Sequence, residues 1–145
     1  MSVLRMDNVG VVVTDLDEAV AFFGALGLAE EGRATVAGPD VDRLVGLDGV
    51  QCDMAVVRTP DGHGRLELMR FGSPSSPAGD PGAAVNVLGI RRIMFAVTDV
   101  AETLARLRGH GAVPVGDVVP FGGAHVLAYV RGPDGILVAL AEETG

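Results

Sequence analysis

An internal duplication is the feature of this sequence that most constrains its fold. Residues 8–28 align without a gap to residues 92–112. Each copy has an apolar run, then V-T-D, and then a helical pattern that ends near a glycine. The ends of the two halves also correspond, because P-D-G precedes L-E-L in the first half and V-A-L in the second. The chain therefore consists of two related modules that differ at matching positions.

Both modules predict the same order of elements, β-α-β-β-β, and so an α+β fold. In the first module, strands are predicted at 8–13, 33–37 and 51–58 and after the turn at 60–62, with a helix capped by Asp15 and closed by Gly27. In the second, strands are predicted at 91–97, near 112–119, and at 124–131 and 136–141, with a helix at 99–108 capped by Asp99. Residues 38–49 are expected to be irregular. We predict a single domain, 1–145, made of module 1–71, a proline- and glycine-rich linker 72–87, and module 88–145.

Composition excludes several classes of partner. The formal net charge of −8 argues against nucleic acid and against an anionic membrane surface. No apolar run approaches the roughly 18 residues that a membrane span requires, and the N-terminus lacks the pattern of a signal peptide. The single cysteine, Cys52, forms no internal disulfide and is expected to be an inert strand residue. Together these features predict a cytoplasmic location.

Three motifs, V-G-V-V-V-T-D-L-D-E-A-V-A-F-F-G-A-L-G-L, F-A-V-T-D-V and R-G-P-D-G-I-L-V-A-L, resemble those of the vicinal oxygen chelate superfamily. This family is also called the glyoxalase/bleomycin-resistance/dioxygenase superfamily. The resemblance implies that the paired modules form a curved, cup-shaped mixed sheet around a ligand pocket. A partner subunit often completes the cup in this family, so we expect a homodimer. Because members include isomerases, lyases, epimerases, dioxygenases and drug-binding proteins, the resemblance fixes the fold and leaves the activity open.

The resemblance also implies four positions for metal ligands, at the start of the first strand and in the last strand of each module. These positions hold Asn8, Glu67, Arg92 and Ala139. Only Glu67 is a good ligand, since asparagine is a weak one, alanine has no donor atom, and arginine is a permanent cation. We therefore predict no metal and no other cofactor, which argues against a ring-cleaving dioxygenase.

Strand alternation and the resemblance together suggest which side chains face the cup. The predicted ligand-binding residues are Asn8, Met54, Met69, Arg92, Met94 and Tyr129. Glu67 and His125 are the candidate catalytic residues, as proton acceptor and as general base or hydrogen-bond donor. If the modules pair as in the family, Glu67 and Arg92 converge. They then form either a structural ion pair or a site in which Arg92 binds a carboxylate, enolate or phenolate.

Three functional hypotheses follow. The leading one is a metal-independent protein that binds a small, partly apolar organic molecule, either to sequester it or to catalyse proton transfer as a lyase or isomerase. The second is a metal-dependent lyase or isomerase with an unusual ligand set around Glu67 and His125. The third is a dimeric interaction module without a ligand. The expected partners are the small molecule and a second copy of the chain, and neither nucleic acid nor a membrane.

Overall fold

The computed structural model describes residues 2–145, which form two compact units, one up to Ala78 and one from Gly79 onward. Each unit contains one mixed β-sheet with an α-helix packed against it. The predicted α+β class is therefore confirmed. Within residues 2–145, no helix has the length and apolar character needed to cross a membrane.

The first unit contains four strands and two helices. They are β1 (Val9–Val12), α1 (Leu16–Leu26), β2 (Ala29–Ala37), α2 (Pro39–Val45), β3 (Gln51–Arg58) and β4 (Arg65–Ser73). The strand order is β1-β4-β3-β2, with β1 parallel to β4 and the other neighbours antiparallel. The predicted helix and strands are thus present, and β2 begins four residues earlier than the strand predicted at 33–37.

The capping and spacing of its residues explain helix α1. The Asp15 carboxylate accepts a hydrogen bond from the Glu18 amide at 3.0 Å, and Gly27 ends the helix with a φ of 121°. One face of the helix is buried, through Leu16, Ala19, Phe22, Phe23 and Leu26. The apolar side chains of β3 and β4 that meet this face are Ala55, Val57, Leu66 and Leu68, all of them buried. Burial of these two apolar surfaces stabilises the helix on the sheet.

The second unit contains five strands and one helix. They are β5 (Arg92–Val97), α3 (Val100–Arg108), β6 (Val113–Pro114), β7 (Val119–Phe121), β8 (His125–Arg131) and β9 (Leu137–Glu143). The order is β5-β9-β8-β6, β7 also pairs with β8, and β5 is parallel to β9. Asp99 caps α3 as Asp15 caps α1, and the Glu142 carboxylate of β9 accepts a further hydrogen bond from the Val100 amide at 2.8 Å.

The duplication in the sequence is also present in the sheet register. Gly10 of β1 lies opposite Glu67 of β4, and Met94 of β5 lies opposite Ala139 of β9. Residues that correspond in the two halves of the sequence therefore occupy equivalent places in the two sheets.

Two predictions for connecting segments were wrong. Residues 38–49 are not entirely irregular, because α2 forms there, with Pro39 in its first turn and Gly46 at its end. Val41, Leu44 and Val45 have helical spacing, but over only seven residues, and no residue of α2 is buried. The strand predicted near 112–119 is two short strands, 113–114 and 119–121. Pro114 and Pro120 lack the amide hydrogen that a longer ladder requires.

Candidate functional site

Each sheet has one face against its helix and one face turned away from it, which we call the open face. On the first sheet, the register and alternation place on the open face Gly10, Val12, Met54, Val56, Glu67 and Met69. On the second sheet, the open face carries Arg92, Met94, Ala96, His125, Leu127, Tyr129 and Ala139. Val12 and Met94 are 46% and 43% exposed despite being apolar. These two faces hold most of the residues that the sequence analysis selected.

On the first open face, Glu67 lies beside an adaptable apolar surface. Met54 and Met69 are direct cross-strand partners. Gly10 lets the Met69 methyl group lie close to β1, since a Cβ at Gly10 would be only 2.9 Å from Met69 Cε. Because Glu67 lies opposite Gly10, no β1 side chain lies directly beside its carboxylate. Within the described part of its unit, Glu67 forms no ion pair or hydrogen bond, which leaves its carboxylate available to accept a proton or hydrogen bond.

Asn8, the other candidate of the first unit, is half-buried just before β1. Its side-chain amide donates a hydrogen bond to the Asp7 carboxylate at 3.0 Å. That bond, with the nearby charge of Arg5, lowers the pKa of Asp7 below its ordinary value. Asn8 therefore already has an acidic partner, and its amide is only partly available to a ligand.

The second open face brings Arg92 and Tyr129 together. The guanidinium carbon of Arg92 lies 5.7 Å from the centre of the Tyr129 ring, which is a cation–π contact. Ala139, on the strand between them, is 1% exposed and is the cross-strand partner of Tyr129. Its small side chain leaves room for Arg92 to reach across β9. The contact holds a permanent cation on this face while leaving guanidinium N–H groups free to bind an anion.

His125 is separated from this pair. It lies on β8 four residues before Tyr129, about 13 Å away along the strand. Its cross-strand neighbours are Phe121 and Glu143, and it is exposed. The structure therefore places His125 on the predicted face but does not bring it to Arg92 or Tyr129.

The four positions at which the family would hold a metal have an unsuitable donor set. The two in the first unit are Asn8, which is bonded to Asp7, and Glu67. The two in the second are Arg92, which is stacked on Tyr129, and Ala139, which has no donor atom. Across residues 2–145, no group of three or more His, Cys, Asp or Glu side chains is arranged to hold a metal ion. These residues do not fit a divalent metal ion.

A pocket that the sequence did not predict lies beside the start of β5. Its volume is about 470 Å³. It is lined by Val85, Gly89, Ile90, Arg91, Arg92 and Met94. Arg92 and Met94 are among the predicted ligand-binding residues, but Arg91, which precedes β5, is not. The signal was the Arg91–Arg92 doublet, which joins the linker to β5 in an acidic chain.

A larger pocket, of about 740 Å³, lies at the N-terminal end of α1. Apart from Asp15, which caps α1, its charged groups already form ion pairs. Arg33 forms ion pairs with Glu30 and Asp17, which raise the pKa of its guanidinium, and Arg70 lies 3.7 Å from the Asp53 carboxylate. This pocket has little free charge with which to recognise a ligand, so we place the candidate site on the open faces.

Comparison with known proteins agrees with this architecture. Residues 5–140 match the family model described as Glyoxalase/Bleomycin resistance protein/Dioxygenase superfamily. A glyoxalase family protein from Bacillus cereus is 48% identical, with a TM-score of 0.96 over 100% of this chain and 97% of that one. The trypanothione-dependent glyoxalase I of Leishmania major shares the fold at 22% identity, with a TM-score of 0.66 over 97% of this chain and 88% of that one. A search of curated proteins gave no match.

Proposed function

We propose, because the chain belongs to the glyoxalase/bleomycin resistance protein/dioxygenase superfamily, that it binds a small, partly apolar organic molecule without a metal ion. The observation that carries the proposal is the contact of Arg92 with Tyr129 across Ala139. Arg92 and Ala139 occupy positions at which the family would place metal ligands. A cation held by an aromatic ring at such a position can bind an anionic group of a ligand directly, in place of a metal.

The chemistry of Arg92 favours a carboxylate, enolate or phenolate as the anionic group. A guanidinium presents several N–H donors in one plane and stays charged at any physiological pH. Hydrogen bonds from it to an oxyanion are short, directional and often bidentate. The adjacent methionine, Met94, and the pair formed by Met54 and Met69 provide flexible apolar surfaces that adapt to irregular organic groups.

If the bound molecule is turned over, we propose proton transfer of the lyase or isomerase type. Glu67 is the preferred proton acceptor, because its carboxylate has no partner within its own unit and is half-buried. His125 is the second candidate, weaker because of its distance from Tyr129. A ligand that is sequestered without reaction requires only Arg92, Tyr129 and the apolar surfaces.

The test is to analyse the small molecules and metals that accompany the purified protein. We expect mass spectrometry to detect an organic anion released from the native protein and not from Arg92→Met. Arg108→Met is the matched control, because Arg108 is exposed at the C-terminal end of α3. Elemental analysis should give well under one equivalent of zinc, nickel, iron or manganese.

Two results would contradict the proposal. About one tightly held metal ion per chain, whose removal abolishes ligand binding, would establish the metal-dependent lyase or isomerase instead. Equal release of the same compounds from Arg92→Met and from the native protein would show that Arg92 does not hold the ligand.

A further inference from the structure

We infer that the pocket beside β5 is a binding site for an oxyanion group, a carboxylate or a phosphate, attached to an apolar body. The pocket is lined by both Arg91 and Arg92, together with the apolar residues Val85, Ile90 and Met94. The inference rests on the proposed function, since Arg92 and Met94 belong to both, and it adds Arg91 as a residue that determines specificity.

The first support is the distribution of charge partners among the arginines. Seven arginines of the described chain form ion pairs with a carboxylate: Arg5, Arg33, Arg43, Arg58, Arg65, Arg70 and Arg106. Arg131 instead donates to backbone carbonyls. Within residues 79–145, Arg91, Arg92 and the exposed Arg108 have no such ion pair, but only Arg91 and Arg92 line the pocket, and no acidic residue lines it with them. In a chain of net charge −8, this is a local excess of positive charge.

The second support is the Arg91 side chain itself. Its Nε atom is buried and has no hydrogen-bond partner among the described residues. The Nε atoms of Arg58 and Arg65 are buried in the same way, but each of those arginines is paired with the Glu31 carboxylate. A buried N–H without an acceptor is unfavourable, so an oxyanion that accepts a hydrogen bond from the Arg91 guanidinium satisfies a donor that the described residues leave unpaired.

The third support is that the wall of the pocket is anchored. The Arg131 guanidinium donates hydrogen bonds to the carbonyls of Ala83 at 2.6 Å and Pro81 at 3.2 Å. This fixes the chain just before Val85, the first residue that lines the pocket. The equivalent residue of the first unit, Arg58, pairs with Glu31 instead. A wall held in place before the ligand arrives reduces the entropy that binding costs.

The lining determines the chemical class of the ligand. Two arginines in one pocket lining favour the oxygen atoms of a carboxylate or phosphate over a neutral polar group. Val85 and Met94 are 42% and 43% exposed, and they provide apolar surface on which an organic body gains free energy by burial. The site therefore selects organic acids or phosphate esters over neutral molecules of the same shape.

The experiment is an NMR titration of the ¹⁵N-labelled full chain that observes the arginine Nε–H signals. The probes are benzoate, phenyl phosphate and benzamide, the last being the neutral analogue of benzoate. We expect benzoate or phenyl phosphate to bind at least about tenfold more tightly than benzamide, with the largest shift at the Arg91 Nε–H. The tighter of the two anions identifies whether the site prefers a carboxylate or a phosphate.

Variants separate this inference from the proposed function. Arg91→Met should reduce anion affinity to within about twofold of that for benzamide, and Arg91→Lys should retain part of the preference. Arg108→Met, the control, should leave the affinities for the two anions and for benzamide unchanged. Thermal unfolding of each variant verifies folding. If Arg91→Met fails to fold, the role of Arg91 is decided by the anion affinity of Arg91→Lys and by the Arg91 Nε–H shift of the native protein.

Three outcomes would overturn the inference. If the native protein binds all three probes equally and Tyr129→Leu weakens them all, binding of a small organic molecule at this face stands, but the oxyanion site and the anionic group proposed for Arg92 are wrong. If the native protein binds none of them, both proposals fail. Unchanged anion preference in a folded Arg91→Met variant would also remove Arg91 from the site.

Discussion

At the scale of single residues, Ala139 has the largest consequence for the open face of the second sheet. It is the equivalent of Glu67 in the duplicated register, so the first sheet carries a carboxylate where the second carries a methyl group. A glutamate there would neutralise Arg92 and separate it from Tyr129. Alanine leaves the guanidinium charge available and the aromatic contact intact. Two differences between the copies, Arg92 for Asn8 and Ala139 for Glu67, thus give the second sheet a cation where the first has a carboxylate.

Ala139→Glu tests this interpretation. The introduced carboxylate should pair with Arg92 and lower the affinity for benzoate by about tenfold, measured by the same NMR titration, because it competes with the ligand for the guanidinium. Ala141→Glu is the matched control, since Ala141 lies on the same face but opposite Ala96, one pair further along β5. Unchanged benzoate affinity in a folded Ala139→Glu protein would contradict the interpretation.

Cys52 provides a second prediction at the residue scale. Its side chain is 2% exposed, and burial, with a smaller contribution from the charge of Asp53, raises the pKa of the thiol. We expect iodoacetamide at pH 8 to alkylate the folded protein at least about a hundredfold more slowly than the urea-unfolded chain, because only the exposed thiolate reacts. Since the folded thiol holds its proton more tightly, its contribution to stability is full below about pH 8.5 and falls as the pH rises toward the higher folded value. Similar alkylation rates in the folded and the urea-unfolded protein would contradict the burial of Cys52.

At the scale of elements, the sequence predicted what periodicity and capping determine. Both helices with a buried face, α1 and α3, were identified by their apolar spacing and by Asp15 and Asp99. Helix α2 was missed because it is only seven residues long, so the spacing of Val41, Leu44 and Val45 covers little more than one turn. The strand faces followed from alternation. The pocket beside β5 did not, because its wall is a linker segment, and no sequence period encodes where a linker packs.

The two P-D-G turns allow a comparison of matched glycines. Gly135 and Gly62 have φ values of 76° and 81°, a left-handed conformation that disfavours any residue with a Cβ. A Cβ at Gly135 would also lie 2.1 Å from the Pro81 carbonyl oxygen, whereas nothing lies within 4 Å of one at Gly62. Only the second turn therefore supports the linker.

Alanine substitution at the two glycines should have unequal effects. Gly62→Ala should lower the free energy of unfolding by about 1–2 kcal/mol, the cost of the backbone conformation alone. Gly135→Ala should cost clearly more, because Pro81 must also move, and it should weaken benzoate binding as the pocket wall shifts. Urea unfolding measures the first effect and the NMR titration the second. Equal destabilisation by the two substitutions would show that the close approach of Pro81 to Gly135 does not contribute to stability.

At the scale of the whole molecule, exposed apolar surface and sheet edges predict self-association. β1 and β2 are the edge strands of the first sheet, and β5 is an edge of the second. Large apolar residues are exposed near β5, among them Leu88 and Ile90. Such surfaces are usually covered in soluble proteins. We expect light scattering at micromolar concentration to give about twice the chain mass of 14.9 kDa. A monomeric mass that does not change across a dilution series would contradict the homodimer.

The resemblance to the family predicts that Glu67 and Arg92 converge, and a double-mutant cycle measures whether they do. If they converge, Arg92→Met removes a counter-ion from the half-buried Glu67 carboxylate, and adding Glu67→Gln should restore part of the lost stability. Fully buried pairs cost about 3–5 kcal/mol to break. Because Arg92 is exposed, we expect a coupling of about 1 kcal/mol from urea unfolding of the four proteins. If the pair serves the ligand, the double variant keeps its stability and loses benzoate binding. Additive effects of the two substitutions would show that these side chains act independently.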